Sequence, residues 1–107
     1  MNGLEIFKAL ADETRMRLYA VLLRHELSVS EIAAVMKMGQ PRISRHLKIL
    51  LDAGLLRLRR DGLLSFYSAA RGGKSNRTAH LFQSVTDGEE VFTTDISRAD
   101  EAVKARK

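Results

Sequence analysis

The apolar residues at the start of the chain recur at helical spacing. Residues 4–11 predict a short helix with one apolar face. Asp12 can accept a hydrogen bond from the first turn of a second helix over residues 13–25. This second helix is apolar around most of its circumference, which places it at the centre of the fold.

Two further helices are predicted, separated by a tight turn. Ser28 and Glu31 form the Ser-x-x-Glu capping box of a third helix, which Gly39 is expected to end. Pro41 suits the first turn of a fourth helix over residues 41–53, where its missing N–H costs nothing. Apolar residues recur there at i, i+4, i+7 and i+8, namely Ile43, Leu47, Leu50 and Leu51.

The spacing becomes alternating after Gly54, which is expected to close the fourth helix. Two short runs of alternating polarity flank Asp61-Gly62, and this pattern predicts a β-hairpin. Of the two leucines beyond the turn, Leu63 and Leu64, one is expected to pack inward.

The C-terminal third carries weaker signals. Residues 75–92 predict another helix, although Gly88 interrupts the pattern. The segment 95–107 is charged and contains alanines, so a frayed helix and disorder both stay open. We therefore expect a folded DNA-binding and dimerisation domain over residues 1–92, and a charged tail over residues 93–107 that is helical or disordered.

The order of these elements predicts the fold. Two helices joined by a tight turn and followed by an arginine-rich hairpin are the outline of a winged helix-turn-helix. The fold class is then mainly α (α+β), with about five helices and one two-stranded β-hairpin as the wing.

Charge and cysteine content narrow the function. The 107 residues include 18 Lys and Arg against 13 Asp and Glu, a formal net charge of +5, which favours polyanionic partners. The basic residues concentrate within residues 40–60, where Asp52 is the only acidic residue. The chain has no cysteine, so disulfides, thiolate metal sites and thiol redox sensing are excluded.

The sequence carries no sign of membrane insertion or export. No apolar run approaches the roughly 18 residues of a membrane-spanning helix. The first residues lack the basic and apolar regions of a signal peptide. We therefore expect a cytoplasmic protein with no membrane partner.

Several segments resemble the ArsR/SmtB family of bacterial winged-helix regulators. Residues 7–23, with Leu-Ala-Asp-x-Thr-Arg at 10–15, are similar to the first two helices of the family. Residues 26–56 are similar to its helix-turn-helix, and residues 59–69 to its wing. The resemblance implies a homodimer that binds an operator of two-fold symmetry, with an effector that changes the affinity for DNA.

The chain departs from the metal-sensing members of that family. Those that sense thiophilic metals carry a Cys-x-Cys pair where this chain has Ser28-Val29-Ser30. Others use paired acidic and histidine residues on the last helix, where only His80 stands here. We expect no metal and no other cofactor. His80 paired with an acidic residue across a dimer interface is the one metal arrangement left open.

The polar side of the helix over residues 41–53 predicts a DNA-reading surface. An α-helix fits the major groove, where Arg binds guanine and Gln binds adenine. The residues expected to contact bases are Gln40, Arg42, Ser44 and Arg45. Those expected to contact phosphates are His46, Lys48, Arg57, Arg59 and Arg60. The alternative is a merely solvated helix face, with hairpin arginines that protect an edge strand.

Apolar residues on the flanking helices predict a homodimer. The helices within residues 13–53 and the hairpin can form a core by themselves, and a monomer would then expose the remaining apolar side chains. Those expected at the dimer interface are Leu4, Phe7, Leu81, Phe82 and Val85. The alternative is that the terminal helices fold back on their own subunit.

Together these features predict a sequence-specific DNA-binding transcriptional regulator, a homodimeric repressor that blocks a promoter. An enzyme is not expected, because the chain has neither a phosphate-binding loop nor an activated nucleophile. Two alternatives stay open, since a fold does not determine function. The domain could dock a protein instead of DNA, or it could be the regulatory head of a longer chain.

Overall fold

A computed structural model describes residues 2–106, which form six helices and three short strands. The helices are α1 (Gly3–Leu10), α2 (Glu13–Arg24), α3 (Val29–Met36), α4 (Gln40–Asp52), α5 (Gly73–Thr86) and α6 (Glu90–Lys104). The strands are β1 (Leu27–Ser28), β2 (Leu56–Asp61) and β3 (Leu64–Ala69). The predicted winged helix-turn-helix is confirmed, with one more helix and one more strand than the sequence indicated.

Side-chain caps determine where the first three helices begin. The side chains of Asn2, Asp12 and Ser28 each accept a hydrogen bond from a backbone N–H in the first turn of α1, α2 and α3. The Glu31 side chain also accepts from the Ser28 backbone N–H, at 2.9 Å, and completes a capping box. Both caps predicted from the sequence, at Asp12 and Ser28, are confirmed.

The turn between α3 and α4 differs from the prediction. Lys37, and not Gly39, ends α3, and it adopts a left-handed conformation with φ of 56°. Gly39 instead precedes the first residue of α4, with Pro41 in the first turn of that helix. No side chain caps the N-terminus of α4.

Gly54 ends α4, as predicted. Its φ of 82° is left-handed, which suits a residue without Cβ. Its N–H donates to the Leu51 carbonyl and the N–H of Leu55 to the Leu50 carbonyl, so a Schellman motif satisfies the last carbonyls of the helix.

The hairpin turn lies one residue later than predicted. Asp61 pairs with Leu64, so the two turn residues are Gly62, with φ of 62°, and Leu63. Neither leucine packs inward: Leu63 is fully exposed and Leu64 is 55% exposed. The expectation that one of them joins the core is wrong, because both lie at the turn end of the hairpin with their side chains exposed to solvent. We call this β2–β3 hairpin the wing.

The wing is joined to the helices through β1. This short strand pairs antiparallel with β3, which gives the sheet order β1-β3-β2. Leu27 of β1 is fully buried, and the Ala70 N–H donates to the Leu55 carbonyl at 2.9 Å where the wing leaves the core. The base of the wing is therefore tied to the body of the protein.

Two helices replace the single helix predicted over residues 75–92. The chain leaves α5 at Thr86, passes through Gly88 with φ of 78°, and enters α6 at Glu90. The segment that the sequence left open as helix or disorder is helical to Lys104, with Ala99 fully buried. The predicted boundary between the folded domain and the tail, at residues 92 and 93, therefore falls inside α6. Residues 1 and 107, the outer ends of these two predicted ranges, lie outside the residues that the structure describes.

An aromatic cluster joins the C-terminal helices to the core. The ring of Phe82 packs edge-on against Tyr19, with centroids 4.9 Å apart, and against Phe92 at 5.9 Å. Phe82 is only 7% exposed. The expectation that Phe82 is surplus apolar surface is therefore corrected, because α5 and α6 supply part of the core of their own subunit.

Candidate nucleic-acid interface

The two sides of α4 have opposite character. Ile43, Leu47 and Leu50 are completely buried and fix the rotation of the helix against α2 and α3. Its polar side is exposed to solvent along the whole length of the helix. The exposed residues of α4 are Gln40, Pro41, Arg42, Ser44, Arg45, Lys48, Ile49 and Asp52. All four residues predicted to contact bases thus lie together on one open surface.

The cations of this surface differ in their partners. Among residues 2–106, the guanidinium groups of Arg42 and Arg45 have no hydrogen-bond or ion-pair partner. Lys48 pairs with Asp52 one turn later, with 3.0 Å between Nζ and Oδ2, but both side chains are well exposed. Such a pair is held weakly in water, so Lys48 can exchange Asp52 for another anion.

His46 lies at the edge of this surface and is only partly exposed. Its Nδ1 lies 3.2 Å from Nη1 of Arg15 in the first turn of α2. The pKa of His46 is lowered, mainly because burial disfavours the imidazolium, and the charges of Arg15, Arg42 and Arg45 lower it further, against the opposing charge of Asp12. His46 is therefore neutral at physiological pH, and differs from the open cations beside it.

The three arginines of β2 are not equivalent. Arg57 and Arg60 are exposed, and among residues 2–106 they donate only to neutral hydroxyls, those of Ser68 at 3.3 Å and Ser65 at 3.1 Å. Arg59 instead donates through Nε and Nη2 to both carboxylate oxygens of Glu26, at 2.8 to 3.1 Å. This fork geometry matches a carboxylate in a way that a single ammonium cannot.

An aromatic ring also holds Arg59, and the pairing of Arg59 with Glu26 changes the pKa of that carboxyl. Its Cζ lies 4.7 Å above the ring of Phe66, in cation–π geometry. Its hydrogen bonds to Glu26 hold the pKa of that carboxyl below its ordinary value. The charge of Arg59 is therefore already neutralised within the protein, unlike the charges of Arg57 and Arg60.

A second surface lies between α1 and α5. A groove of about 630 Å³ runs between these helices, with Phe7, Leu81 and Val85 among its lining. These three side chains and Leu4 are each at least half exposed. Lys74 and Arg77 are the cations of a lining that is otherwise largely apolar. We call this the α1/α5 groove.

Sequence reasoning missed two residues that contact the candidate interface. Glu26 is 33 positions from Arg59, and nothing in the local pattern links them. From the sequence alone, Arg15 is identified only as the last residue of the Leu-Ala-Asp-x-Thr-Arg segment. That segment was a usable signal, because its Asp12 caps α2 and its Arg15 reaches α4.

The described residues offer little for other chemistry. Within residues 2–106, no three His, Asp or Glu side chains cluster closely enough to hold a metal ion, and His80 is exposed on α5. In the same range, every helix is too short or too polar to cross a lipid bilayer.

Comparison with known proteins agrees with this geometry. The sequence profile of the bacterial regulatory proteins of the arsR family matches residues 12–57, from the cap of α2 into β2. A transcriptional repressor SmtB homologue from Synechocystis sp. is 40% identical over 83 residues, which cover 78% of this chain and 60% of that protein. This chain thus spans less than two thirds of that relative.

Two other proteins extend the comparison. The HTH-type transcriptional regulator MJ1325 of Methanocaldococcus jannaschii is 41% identical over 64 residues, 59% of this chain and 72% of that protein. The solved structure of HlyU from Vibrio cholerae superposes with a TM-score of 0.69 at 28% identity, over 77% of this chain and 88% of that one. The chain belongs to the ArsR family of bacterial regulatory proteins.

Proposed function

We propose that the protein is a sequence-specific DNA-binding transcriptional regulator, and that α4 is its recognition helix. One observation carries this proposal: Arg42 and Arg45 are exposed and unpaired within the described residues, on a helix whose other side is fixed by fully buried residues. A rigid helix with open guanidinium groups matches the width and acceptors of the major groove. Gln40 and Ser44 share this surface and would contact bases as well.

Phosphate contacts would come from both sides of α4. Lys48 on the helix, and Arg57 and Arg60 on the wing, have only exposed or neutral partners in the protein. They would position the protein without reading sequence. Arg59 contributes only if it leaves Glu26. His46 would contribute as a neutral donor and not as a cation.

The α1/α5 groove supports a homodimer. Leu4, Phe7 and Val85 are more than 60% exposed, and the helices that carry them, α1 and α5, line the same groove. A second copy would cover these side chains, and its two-fold axis would place two recognition helices about 34 Å apart, one turn of DNA. The groove therefore supports binding to an operator of matching symmetry.

The regulatory role follows from the relatives. The cyanobacterial relative is named a transcriptional repressor, and a dimer that occupies a promoter would repress by blocking polymerase. This role needs no catalysis and places the protein in the cytoplasm with the DNA. Docking of a protein partner is the alternative. In that case, replacing Arg42 or Arg45 would not change the affinity for DNA.

The test is selection of bound duplexes from a random pool, followed by affinity measurements on the selected site and on random DNA. Arg42→Ala and Arg45→Ala should each weaken binding to the selected site by about 1–3 kcal/mol and relax specificity. Lys104→Ala, which removes a charge from α6, is the matched control and should bind like the wild type. Equal binding by all variants would overturn the assignment of α4.

The dimer has its own test, sedimentation equilibrium. Val85→Glu places a charge in the α1/α5 groove and should give a monomer, because an unpaired charge in an apolar interface is costly. Leu63→Glu places the same charge on the tip of the wing and should stay dimeric. If both variants sediment as the wild type does, the groove is not the dimer interface.

A further inference from the structure

Arg15 connects three parts of the structure through one guanidinium group. Its Nε donates to the Ala9 carbonyl in the last turn of α1, at 2.6 Å, and its Nη1 lies 3.2 Å from Nδ1 of His46 on α4. Nη1 is also 3.8 Å from the Asp12 carboxylate, which caps α2. The side chain is only 15% exposed, so these contacts exclude most of the surrounding water.

The chemistry of the two partners fixes the state of His46. A guanidinium has donors only, so Nδ1 of His46 must accept. The neutral imidazole then carries its proton on Nε2, because one ring nitrogen accepts while the other donates. Nε2 has no hydrogen-bond partner among residues 2–106, which leaves an N–H available to an acceptor outside the protein.

The surrounding charges keep His46 in this neutral form. Arg15 faces it from α2, Arg42 and Arg45 lie on its own helix, and only Asp12 opposes them. A proton on Nδ1 would break the contact with Arg15 and add a fourth positive charge to this group. Neutral His46 can still donate one hydrogen bond to a phosphate without that repulsion.

The contact with Ala9 extends the connection to the dimer surface. Phe7 and Leu10, the neighbours of Ala9 on α1, line the α1/α5 groove. Displacement of α1 when the groove is filled would move the Ala9 carbonyl. Because Arg15 holds that carbonyl and His46 together, the displacement would reach α4 through one side chain.

We propose that Arg15 is a positioning residue for DNA binding, which orients α4 against the end of α1 and holds His46 as an Nε2–H donor to phosphate. This proposal rests on the proposed function of α4. It assigns a role to Arg15, the last residue of the Leu-Ala-Asp-x-Thr-Arg segment, that neither capping nor core packing explains.

The first test is the tautomer and titration of His46, read from ¹⁵N imidazole spectra without DNA. His46→Gln identifies the signal among the three histidines. The wild type should show the Nε2–H form, and Arg15→Met should mix the tautomers and raise the pKa of His46. Arg24→Met, which removes another α2 arginine, should change neither. An Nδ1–H tautomer, or an unchanged spectrum in Arg15→Met, overturns the proposal.

The second test measures DNA affinity of the folded dimers. Arg15→Met should bind the selected duplex on the order of tenfold more weakly, and Arg15→Lys should recover part of the loss. Because the two residues act together, His46→Gln added to Arg15→Met should cost little more. Wild-type affinity in Arg15→Met overturns the role of Arg15 alone. Absence of DNA binding by the wild type overturns the function of α4 as well.

Discussion

The arginines of α4 and those that join α6 and its C-terminal end to α2 and α3 are the same residue type in opposite roles. Arg17, Arg24 and Arg106 each bind a carboxylate, at 2.7, 3.0 and 2.6 Å, and they join α6 to α2 and α3. Arg42 and Arg45 have no such partner within residues 2–106. Arg17, Arg24 and Arg106 are thus paired within the fold, whereas the charges of Arg42 and Arg45 stay open to a ligand. The partners of the basic residues, more than their number, therefore indicate the binding surface.

Removal of the most buried pair should have the largest effect. Asp95 is 1% exposed and accepts two hydrogen bonds from Arg17, whose side chain is 16% exposed. Asp95→Ala leaves a largely buried guanidinium without its partner and should lower the free energy of unfolding by about 3 kcal/mol. Urea denaturation followed by circular dichroism measures this loss.

The matched control is Asp100→Ala, which removes a carboxylate shared by Arg24 and His25 in a more exposed place. It should cost less than about 1 kcal/mol. Equal losses for the two variants would contradict the claim that burial makes the Arg17–Asp95 pair structural.

Loss of a wing arginine should affect DNA binding and not stability. Arg60→Ala should weaken binding to all sequences alike and reduce the slope of log affinity against log salt by about 1, because a phosphate contact carries no sequence information. Binding titrations over a series of salt concentrations measure this slope. A loss confined to the selected site would mean that Arg60 reads bases.

Glu26→Gln should have the opposite effect on the same measurement. It releases Arg59, and the slope should become steeper by up to about 1 as one more phosphate contact forms. Glu101→Gln, which removes a carboxylate from α6, is the control for net charge. If the two variants bind DNA equally, Arg59 is not restrained by Glu26.

The steeper salt dependence expected for Glu26→Gln should itself depend on pH. Arg59 lowers the pKa of Glu26 in the folded protein, so the ion pair is intact above the ordinary pKa of a glutamate and is lost as pH falls through the lowered value. The difference between Glu26→Gln and the wild type should be full at neutral pH and should vanish in acid. A difference that grows in acid would contradict the ion pair.

The smallest effect is expected for Arg98→Ala. Arg98 approaches Asp95 only to 3.8 Å and is 40% exposed, while Arg17 already satisfies that carboxylate. The free energy of unfolding should fall by less than about 0.5 kcal/mol. A loss close to that of Asp95→Ala would show that Asp95 depends on both arginines.

The parts of the fold that the sequence predicts are those with a local cause. Capping side chains mark where α2 and α3 begin, and apolar spacing fixes which side of α4 is buried. The sequence does not indicate the left-handed turn at Lys37, because this conformation is usually adopted by glycine or asparagine and not by lysine. Residues 75–92, whose pattern suggested one helix, contain parts of two helices, because Gly88 adopts a left-handed conformation between α5 and α6.

The sequence predicts which residues form the candidate interface but not which partners bind their side chains within the protein. The polar side of α4 follows from helical geometry, so Arg42 and Arg45 could be located from spacing. The partners of Arg59 and His46 lie 33 and 31 residues away in sequence, and only the tertiary fold brings them together. Sequence reasoning therefore treated the wing arginines as equal when one of them is already bound.

The uncapped start of α4 has a consequence for the order in which this helix becomes rigid. The three helices before it begin with a side-chain acceptor, whereas the first amides of α4 have none and carry the positive end of the helix dipole. A DNA phosphate placed there would act as the missing acceptor. The first turn of α4 should then fray in the free protein and gain protection from hydrogen exchange on DNA, so that the duplex completes the helix that reads it.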